Sequence, residues 1–154
     1  MESLAGGFGM STVRELLVKK GPHVASIGKD DTVLAAARLM NQRRIGSLVL
    51  AEGDQIVGIF TERDILTRVV AEGRDPATTK IADVMTTPVA CCGSDTTIAE
   101  CRGVMRDRRI RHLPVVDKGR LVGMITIGDL NAAEITEHQT TIRDLNTYIF
   151  GPGS

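Results

Sequence analysis

The sequence predicts an α+β fold, within the broad α/β class, in which two pseudo-symmetric β-α-β-β-α repeats pack as one module with short N-terminal and C-terminal helices. The main observation is an internal repeat, because residues 40–65 placed on residues 105–130 give nine identities in 26 ungapped positions. Unrelated sequence of average composition would give roughly one or two. Each copy holds roughly 50 residues, too few for a stable core without a metal or disulfide. Two copies packed sheet to sheet would bury their shared apolar faces.

The first repeat, residues 11–71, changes from helical spacing of apolar residues to strand-like runs and back. Gly21 and Pro22 end its first helix, since glycine caps a helix and proline cannot continue one. Thr32 offers a cap oxygen to the second helix, and a turn at residues 52–55 joins two strands into a hairpin. The expected elements are a helix at Val13–Val18, an extended segment at His23–Ile27, a helix from Val33 to Met40, strands at Gly46–Leu50 and Ile56–Phe60, and a helix from Thr61 through Val70.

The second repeat, residues 81–131, shows the same order of patterns after a linker at residues 72–80. Thr97 caps its longer helix, and a turn at residues 117–120 closes its hairpin. The expected elements are a lead-in at Ile81–Met85, an extended segment at Val89–Cys92, a helix from Ile98 to Met105, strands at Leu113–Val116 and Leu121–Ile125, and a helix from Thr126. Residues 132–150 are expected to form a helical tail, because apolar residues recur there at Ile135, Ile142, Leu145 and Ile149.

The composition argues against several classes of protein. Nineteen basic and nineteen acidic residues give zero net charge, and aromatics make up 3%, so neither nucleic-acid attraction nor a base-stacking surface is expected. No run of 18 apolar residues and no signal-peptide pattern is present, so neither a membrane span nor secretion is expected. The three cysteines lack CxxC spacing and are expected to be reduced thiols in a cytoplasmic protein. His23 and His138 have no matching ligand neighbours, so no metal site is expected.

Each repeat carries the pattern Gly-x-x-Thr-x-x-Asp where a predicted strand ends and a helix begins, at Gly58–Asp64 and Gly123–Asp129. One interpretation is a capping box, in which Thr and Asp satisfy the first backbone amides of the helix. The other is a ligand site, since free amides at a helix start suit phosphate and a carboxylate can accept both hydroxyls of a ribose. The glycine would let another group approach the strand. The two interpretations are compatible, and any site built from this pattern should occur twice.

Two further stretches point to a known family. Ile81–Val89 has the form of a repeat opening, and Arg108–Val116 followed by Leu121–Gly123 forms the second hairpin. Together with the duplicated Gly-x-x-Thr-x-x-Asp pattern, they resemble a tandem pair of CBS domains, also called a Bateman module, over residues 13–130. The resemblance implies an adenosine-containing ligand, such as AMP, ADP, ATP, S-adenosylmethionine or NAD(H), and no required cofactor.

The resemblance also implies two clefts between the repeats, each combining the Thr and Asp of one copy with strand residues of the other. One cleft would comprise Thr126, Asp129, Lys20, Ala25, Ile45, Gly46 and Ser47, and the other Thr61, Asp64, Thr86, Pro88, Ala90 and Ile110. Met124 completes the ligand-binding set, and the phosphate candidates are Arg63, Arg111 and His112. Because Gly46-Ser47 stands where the second repeat has Arg111-His112, the clefts are not expected to be equivalent, and one tight site is favoured.

The expected function is a stand-alone regulatory or sensor module for energy sensing and signal transduction, in which an adenine nucleotide (AMP, ATP or NAD(H)) shifts the state of a regulated partner. No Ser/His/Asp or Cys/His arrangement and no Walker loop is visible, so no catalytic centre is expected. The family resemblance implies a homodimer formed through helices of each repeat. Three alternatives stay open: a nucleic-acid binder using the basic cluster Arg106–His112, an enzyme with an unseen substrate in a cleft, and a purely structural dimer. The sequence also leaves open whether residues 135–149 close over a cleft.

Overall fold

Two antiparallel hairpins lie at the centre of the computed structural model, which describes residues 11–134. The elements are α1 (Val13–Lys20), α2 (Val33–Arg43), β1 (Ser47–Glu52), β2 (Gln55–Thr61), α3 (Glu62–Asp64), a π-helix (Ile65–Val70), α4 (Ile81–Val84), α5 (Ile98–Arg108), β3 (His112–Asp117), β4 (Arg120–Thr126) and α6 at residues 127–134. This order confirms the predicted α+β class and its duplication. The tail predicted at residues 132–150 falls outside the described residues beyond residue 134.

None of the described helices could span a bilayer, since the longest, α2 and α5, have 11 residues each. A membrane span needs about 20 apolar residues.

The two hairpins are equivalent in detail. Ser47 pairs with Thr61 at the end of the first hairpin, and His112 pairs with Thr126 at the end of the second. Both ladders shift register at the same place along the strand. Each hairpin therefore delivers its threonine to the start of the next helix, next to the first residue of the partner strand.

The two segments predicted to be extended, His23–Ile27 and Val89–Cys92, add less to the sheets than expected. Each makes one isolated parallel bridge to its own hairpin, Ser26 to Val49 and Cys92 to Val115. A turn follows each segment at once and takes the chain away from the sheet. These turns are closed by side chains, with Gly28 N donating to Asp31 Oδ2 at 2.9 Å and Gly93 N to Thr96 Oγ1 at 3.0 Å.

The helix predicted to follow Thr61 widens after one turn. α3 is capped by Thr61 and Asp64, and the chain continues as the π-helix, in which Ala71 N donates to Leu66 O, five residues back. Val69 on this helix is fully buried, whereas Leu66 and Val70 are each 62% exposed. The predicted apolar stripe is therefore divided between the core and the surface.

The two repeats exchange their opening segments. α4, which opens the second repeat, buries Ile81 and Val84 in the core of the first hairpin together with Phe60. α1, which opens the first repeat, buries Val13 in the core of the second hairpin with Leu113 and other residues. Backbone bonds hold the exchange, from Ile81 N to Asp31 O and from Val13 N to Thr96 O, each 2.9 Å long. Neither repeat completes its core without the other.

A third cluster joins the two sheets. Val49 and Ile59 of the first hairpin pack against Met124 of the second. Leu121 N also donates to Asp54 O at 2.9 Å across this interface. The resulting module places the end of α1 beside β4 and the start of α6, where a cleft between the repeats is expected.

Candidate functional site

Both helix starts contain the capping box that the sequence allowed. Thr61 N donates to Asp64 Oδ2 at 2.9 Å, and Asp64 N returns a bond to Thr61 Oγ1 at 3.4 Å. In the second repeat, Thr126 N donates to Asp129 Oδ2 at 2.9 Å, and Asp129 N to Thr126 Oγ1 at 3.1 Å. The capping role is therefore present in each copy, and a ligand role depends on what else surrounds each carboxylate.

Asp64 has no free acceptor oxygen. Its Oδ2 accepts the capping bond, and its Oδ1 accepts from Thr86 Oγ1 at 2.9 Å. Arg68 Nε lies 3.6 Å from the same Oδ1, and only 7% of the Asp64 side chain is exposed. This carboxylate is satisfied within the protein, and Thr86, predicted as a ligand contact, is one of its partners.

Asp129 keeps one oxygen available. Its Oδ2 accepts from Thr126 N and from Lys20 Nζ, the latter at 2.7 Å. Lys20 Nζ also donates to Met124 O at 2.8 Å, which holds the ammonium against β4. No hydrogen-bond donor within residues 11–134 reaches Asp129 Oδ1, and the side chain is 23% exposed. A ligand hydroxyl can reach this carboxylate without breaking the helix cap.

Glycine at the start of the signature explains how Lys20 reaches Asp129. A Cβ added to Gly123 would lie 2.6 Å from Leu17 Cδ2 on α1. The missing side chain therefore lets α1 pack closely on β4, and the end of that helix carries Lys20 to Met124 and Asp129. Gly58 has the equivalent role, since its added Cβ would lie 2.5 Å from Met85 Sδ. The group predicted to approach each glycine is the opening segment of the other repeat.

A cavity of about 590 Å³ lies between the two repeats, beside Lys20. This volume is within the range typical of small-molecule sites. Eight of the residues predicted to contact ligand line it, namely Lys20, Ala25, Ile45, Gly46, Ser47, His112, Met124 and Thr126. Asp129 stands behind Lys20 and lines a neighbouring cavity of about 630 Å³ between α1, α5 and α6.

Four residues that line the first cavity were not predicted: His23, Val24, Arg43 and Arg44. The sequence held a signal for the arginines, since Arg43 and Arg44 recur as Arg108 and Arg109 among the nine repeat identities. Exposed charged residues do not build a core, so the repetition of these arginines indicates a role other than core packing. His23 gave no such signal, because Pro88 stands at its equivalent position.

His112 lies where the two repeats meet at this cavity. A Cβ added to Gly46 would lie 3.1 Å from His112 Nε2 and 3.2 Å from Glu62 Oε1, so glycine makes room for both side chains. Burial lowers the pKa of His112 below its usual value, an effect that Glu62 opposes. Nearby Arg111 and Lys20 lower this pKa further, and Asp129 raises it. The imidazole is therefore neutral at pH 7. A further negative charge beside it would raise its pKa and favour the protonated form.

The remaining predicted residues do not gather around this cavity. Arg63 Nη1 donates to Arg109 O at 2.7 Å, which ties two repeats together. Ala90 and Ile110 are half-buried and pack against the second core, and Pro88 and Arg111 are exposed. Of the three phosphate candidates, His112 alone lines the 590 Å³ cavity.

Apart from His112, neither the basic cluster Arg106–His112 nor the cysteines line either of the two cavities described within residues 11–134. Arg106 Nε lies 3.5 Å from Asp107 Oδ1, and both side chains are largely exposed. The three cysteines are free thiols, and Cys101 is buried in the second core. No group of three or more His, Cys, Asp or Glu side chains in this part of the chain could hold a metal ion.

Comparison with known proteins identifies the family. The family model for the CBS domain matches twice, over residues 13–71 and 81–135. The mitochondrial CBS domain-containing protein CBSX3 of Arabidopsis thaliana is 34% identical over 154 residues, an alignment that covers 94% of this chain and 75% of that protein. The crystal structure of the CBS-domain containing protein ATU1752 from Agrobacterium tumefaciens is 34% identical, with a TM-score of 0.77, and the match covers 80% of this chain and 99% of that one.

A more distant structure is the CBS domain pair of protein MJ0100 in complex with 5′-methylthioadenosine and S-adenosyl-L-methionine. It is 23% identical with a TM-score of 0.73, and the match covers 83% of this chain and 98% of that one. At this identity the likeness shows the fold alone. The two family matches, the shared fold and the duplicated helix starts together show that this chain belongs to the CBS domain family and carries two CBS domains in tandem.

Proposed function

We propose that this chain is a non-catalytic regulatory module that binds an adenine nucleotide (AMP, ATP or NAD(H)) in the 590 Å³ cavity between its CBS domains. The observation that carries the proposal is the surroundings of Asp129. This carboxylate is fixed by its own helix start, yet keeps Oδ1 free; it lines the neighbouring 630 Å³ cavity and pairs with Lys20, which lines both cavities. A carboxylate so placed can accept both hydroxyls of a ribose.

The cavity offers surfaces suited to the other parts of such a ligand. Val24, Ala25 and Ile45 present apolar side chains from the first repeat, and Met124 adds one from the second. An adenine ring would lie against these groups. Lys20 and His112 supply cationic or donor groups for phosphate on the same lining. A ligand held in this way contacts both repeats, so its binding energy depends on their relative position.

The unequal aspartates favour one tight site. Ribose hydroxyls approaching Asp64 would have to displace Thr86 or Arg68, which already occupy Oδ1. The corresponding approach to Asp129 leaves the capping bond in place and competes only with Lys20 for Oδ2. We therefore place the principal nucleotide at Asp129, with Asp64 retained chiefly as a helix cap.

The ligands of the MJ0100 CBS pair support an adenosine-containing ligand. That CBS pair holds 5′-methylthioadenosine and S-adenosyl-L-methionine, so a module of this fold can take adenosine compounds. The family match supports a regulatory role for the present chain. We further propose that the chain acts as a homodimer on a protein partner, because Leu66 and Val70 leave an apolar surface on the π-helix.

The nucleotide site is tested with two matched variants. Asp129→Asn keeps an oxygen that can cap α6 but loses the charge that binds ribose hydroxyls, and Asp64→Asn makes the same change in the other repeat. Isothermal titration with AMP, ATP and NADH should show affinity reduced at least about tenfold in Asp129→Asn, as expected for loss of a charged hydrogen bond. Affinity should be unchanged within about twofold in Asp64→Asn.

Equal affinities in the wild-type protein and Asp129→Asn would remove the ribose role assigned to Asp129. Mass spectrometry of material released from the denatured protein gives an independent test, because an adenine nucleotide that co-purifies would be identified directly. Turnover of a bound nucleotide over hours would contradict the non-catalytic assignment.

A further inference from the structure

The cavity has a second basic region, in which Arg43 and Arg44 carry the charge beside His23, that a ribose and one phosphate need not use. These three residues line the cavity, and none of its lining residues is an aspartate or glutamate. The Lys20 charge is balanced by Asp129 at 2.7 Å. Among residues 11–134, no carboxylate lies within 4.0 Å of the guanidinium of Arg43 or Arg44. The two arginines therefore give this part of the cavity an uncompensated positive charge.

Arg44 adopts a backbone conformation that favours glycine. It has φ 54° and ψ 47°, in the left-handed region, where it ends α2 with its N–H directed to Met40 O and Asn41 O. Glycine is the usual residue here, because a side chain adds steric cost in this conformation. The backbone role thus explains the conformation but gives no reason for an arginine side chain. Arg44 lines the cavity, where its guanidinium can bind an anion, whereas Arg109, in the same conformation at the end of α5, does not line it.

Arg43 is oriented by His23. Arg43 Nη1 lies 3.5 Å from His23 Nε2, and since a guanidinium only donates, the imidazole nitrogen is the acceptor. The contact joins the last turn of α2 to the segment that follows α1. The attraction of a helix C-terminus for cations accounts for a basic residue in this turn, but not for its approach to His23 at the cavity.

We propose that Arg43, Arg44 and His23 form a subsite for the terminal phosphates of a nucleoside polyphosphate, so that the cavity binds ATP more tightly than AMP, and AMP more tightly than adenosine. This inference rests on the proposed function, which places the adenosine part near Asp129. Each further phosphate adds negative charge and acceptor oxygens, and the planar donors of arginine match phosphate geometry. Both arginines are exposed, so their contribution falls with added salt.

Arg44→Gly is a clean test because glycine suits the left-handed conformation and leaves the helix end intact. Arg109 has the same conformation, with φ 55°, at the equivalent position of α5, so Arg109→Gly is the matched control. Titration with adenosine, AMP and ATP at low salt should show ATP affinity reduced about tenfold in Arg44→Gly. AMP and adenosine affinities should change less than about twofold, and Arg109→Gly should leave all three unchanged. Arg43→Gln should repeat the loss for ATP.

Each other outcome counts against the subsite. An equal loss for ATP and AMP in Arg44→Gly would place its guanidinium elsewhere on the ligand, and an equal effect of Arg109→Gly would show only a general effect of net charge. If adenosine, AMP and ATP all fail to bind the wild-type protein, the proposed function fails. Titration with inorganic tripolyphosphate then tests the subsite alone: binding weakened by Arg44→Gly supports it, and no binding overturns it.

Discussion

Asp64 and Asp129 are the same residue type in the same motif, and their neighbours give them different chemistry. Thr86 and Arg68 take the second oxygen of Asp64, whereas Lys20 shares the capping oxygen of Asp129 and leaves the other free. The difference follows from the opening segments, because Met85 of the second repeat stands where the first has Lys20. A thioether cannot pair with the carboxylate. The side chain of Lys20, at the end of a short helix, thus makes the chemistry of Asp129 differ from that of Asp64.

His112 should make nucleotide binding depend on pH. Its pKa is lowered by burial and by Arg111 and Lys20, against the opposing effect of Glu62 and Asp129. A bound phosphate would raise this pKa, so binding takes up a proton, and affinity should increase as the pH falls through the bound-state pKa towards the lowered pKa of the free protein. Titration calorimetry in two buffers of different ionisation enthalpy measures the proton uptake directly. His112→Gln should remove it.

The unliganded protein should respond to pH in the opposite sense. Since the folded-state pKa of His112 is lower than the unfolded value, neutral His112 contributes stability that is present above pH 6.5 and lost as the pH falls through the lowered pKa. Urea denaturation at several pH values should show this loss in the wild-type protein and less of it in His112→Gln.

For nucleotide binding, an identical dependence of affinity on pH in the wild-type protein and in His112→Gln would contradict the placement of phosphate beside this imidazole.

At the scale of elements, the sequence predicts best those that bury one face. α2, α5 and both hairpins follow from the spacing of residues such as Met40 and Met105 and from the turns between strands. The extended segments before α2 and α5 were overestimated, because the turns after Ile27 and Cys92 limit each to one bridge. The π-helix was not predicted, since its apolar spacing at residues 65–70 also fits an ordinary helix.

The signature glycines give a prediction about the packing of these elements. Gly123→Ala and Gly58→Ala would force a methyl group against Leu17 and Met85 at 2.6 and 2.5 Å. Because these contacts are the ends of flexible side chains, we expect adjustment at a cost of about 1–3 kcal/mol in the free energy of unfolding, as for other overpacked cores. Urea denaturation followed by circular dichroism measures this cost.

Gly103→Ala is the matched control for that measurement. Gly103 lies in α5, and its added Cβ would meet only Arg106 Nη2, at 4.0 Å. Alanine in the middle of a helix is more stable than glycine by about 0.5–1 kcal/mol, so this variant should be stabilised. A stabilised Gly123→Ala would show that α1 does not pack on β4 as closely as described.

At the scale of the whole molecule, the exchange of α1 and α4 between the repeats could not be predicted from the sequence. The two copies have the same apolar pattern, so Val13 and Ile81 fit either core equally well by residue type. The exchange is decided by the chain path and by backbone bonds such as Val13 N to Thr96 O. The same path brings Arg43 and His23 to one cavity, a meeting that the repeated arginines alone do not reveal.

Two exposed apolar side chains on the π-helix predict how the module assembles. Leu66 and Val70, one helical turn apart, are each 62% exposed on the π-helix, and burial of such a side chain contributes about 1.5–3 kcal/mol. A second copy that covers this face would bury the pair twice by symmetry.

Light scattering should therefore give twice the chain mass of 16.6 kDa. Leu66→Glu should yield the monomer, because dimerisation would bury an unpaired carboxylate, whereas Gln55→Glu at the exposed start of β2 should leave the dimer intact. A monomeric wild-type protein, or a Leu66→Glu variant that remains dimeric, would rule out this face as the interface.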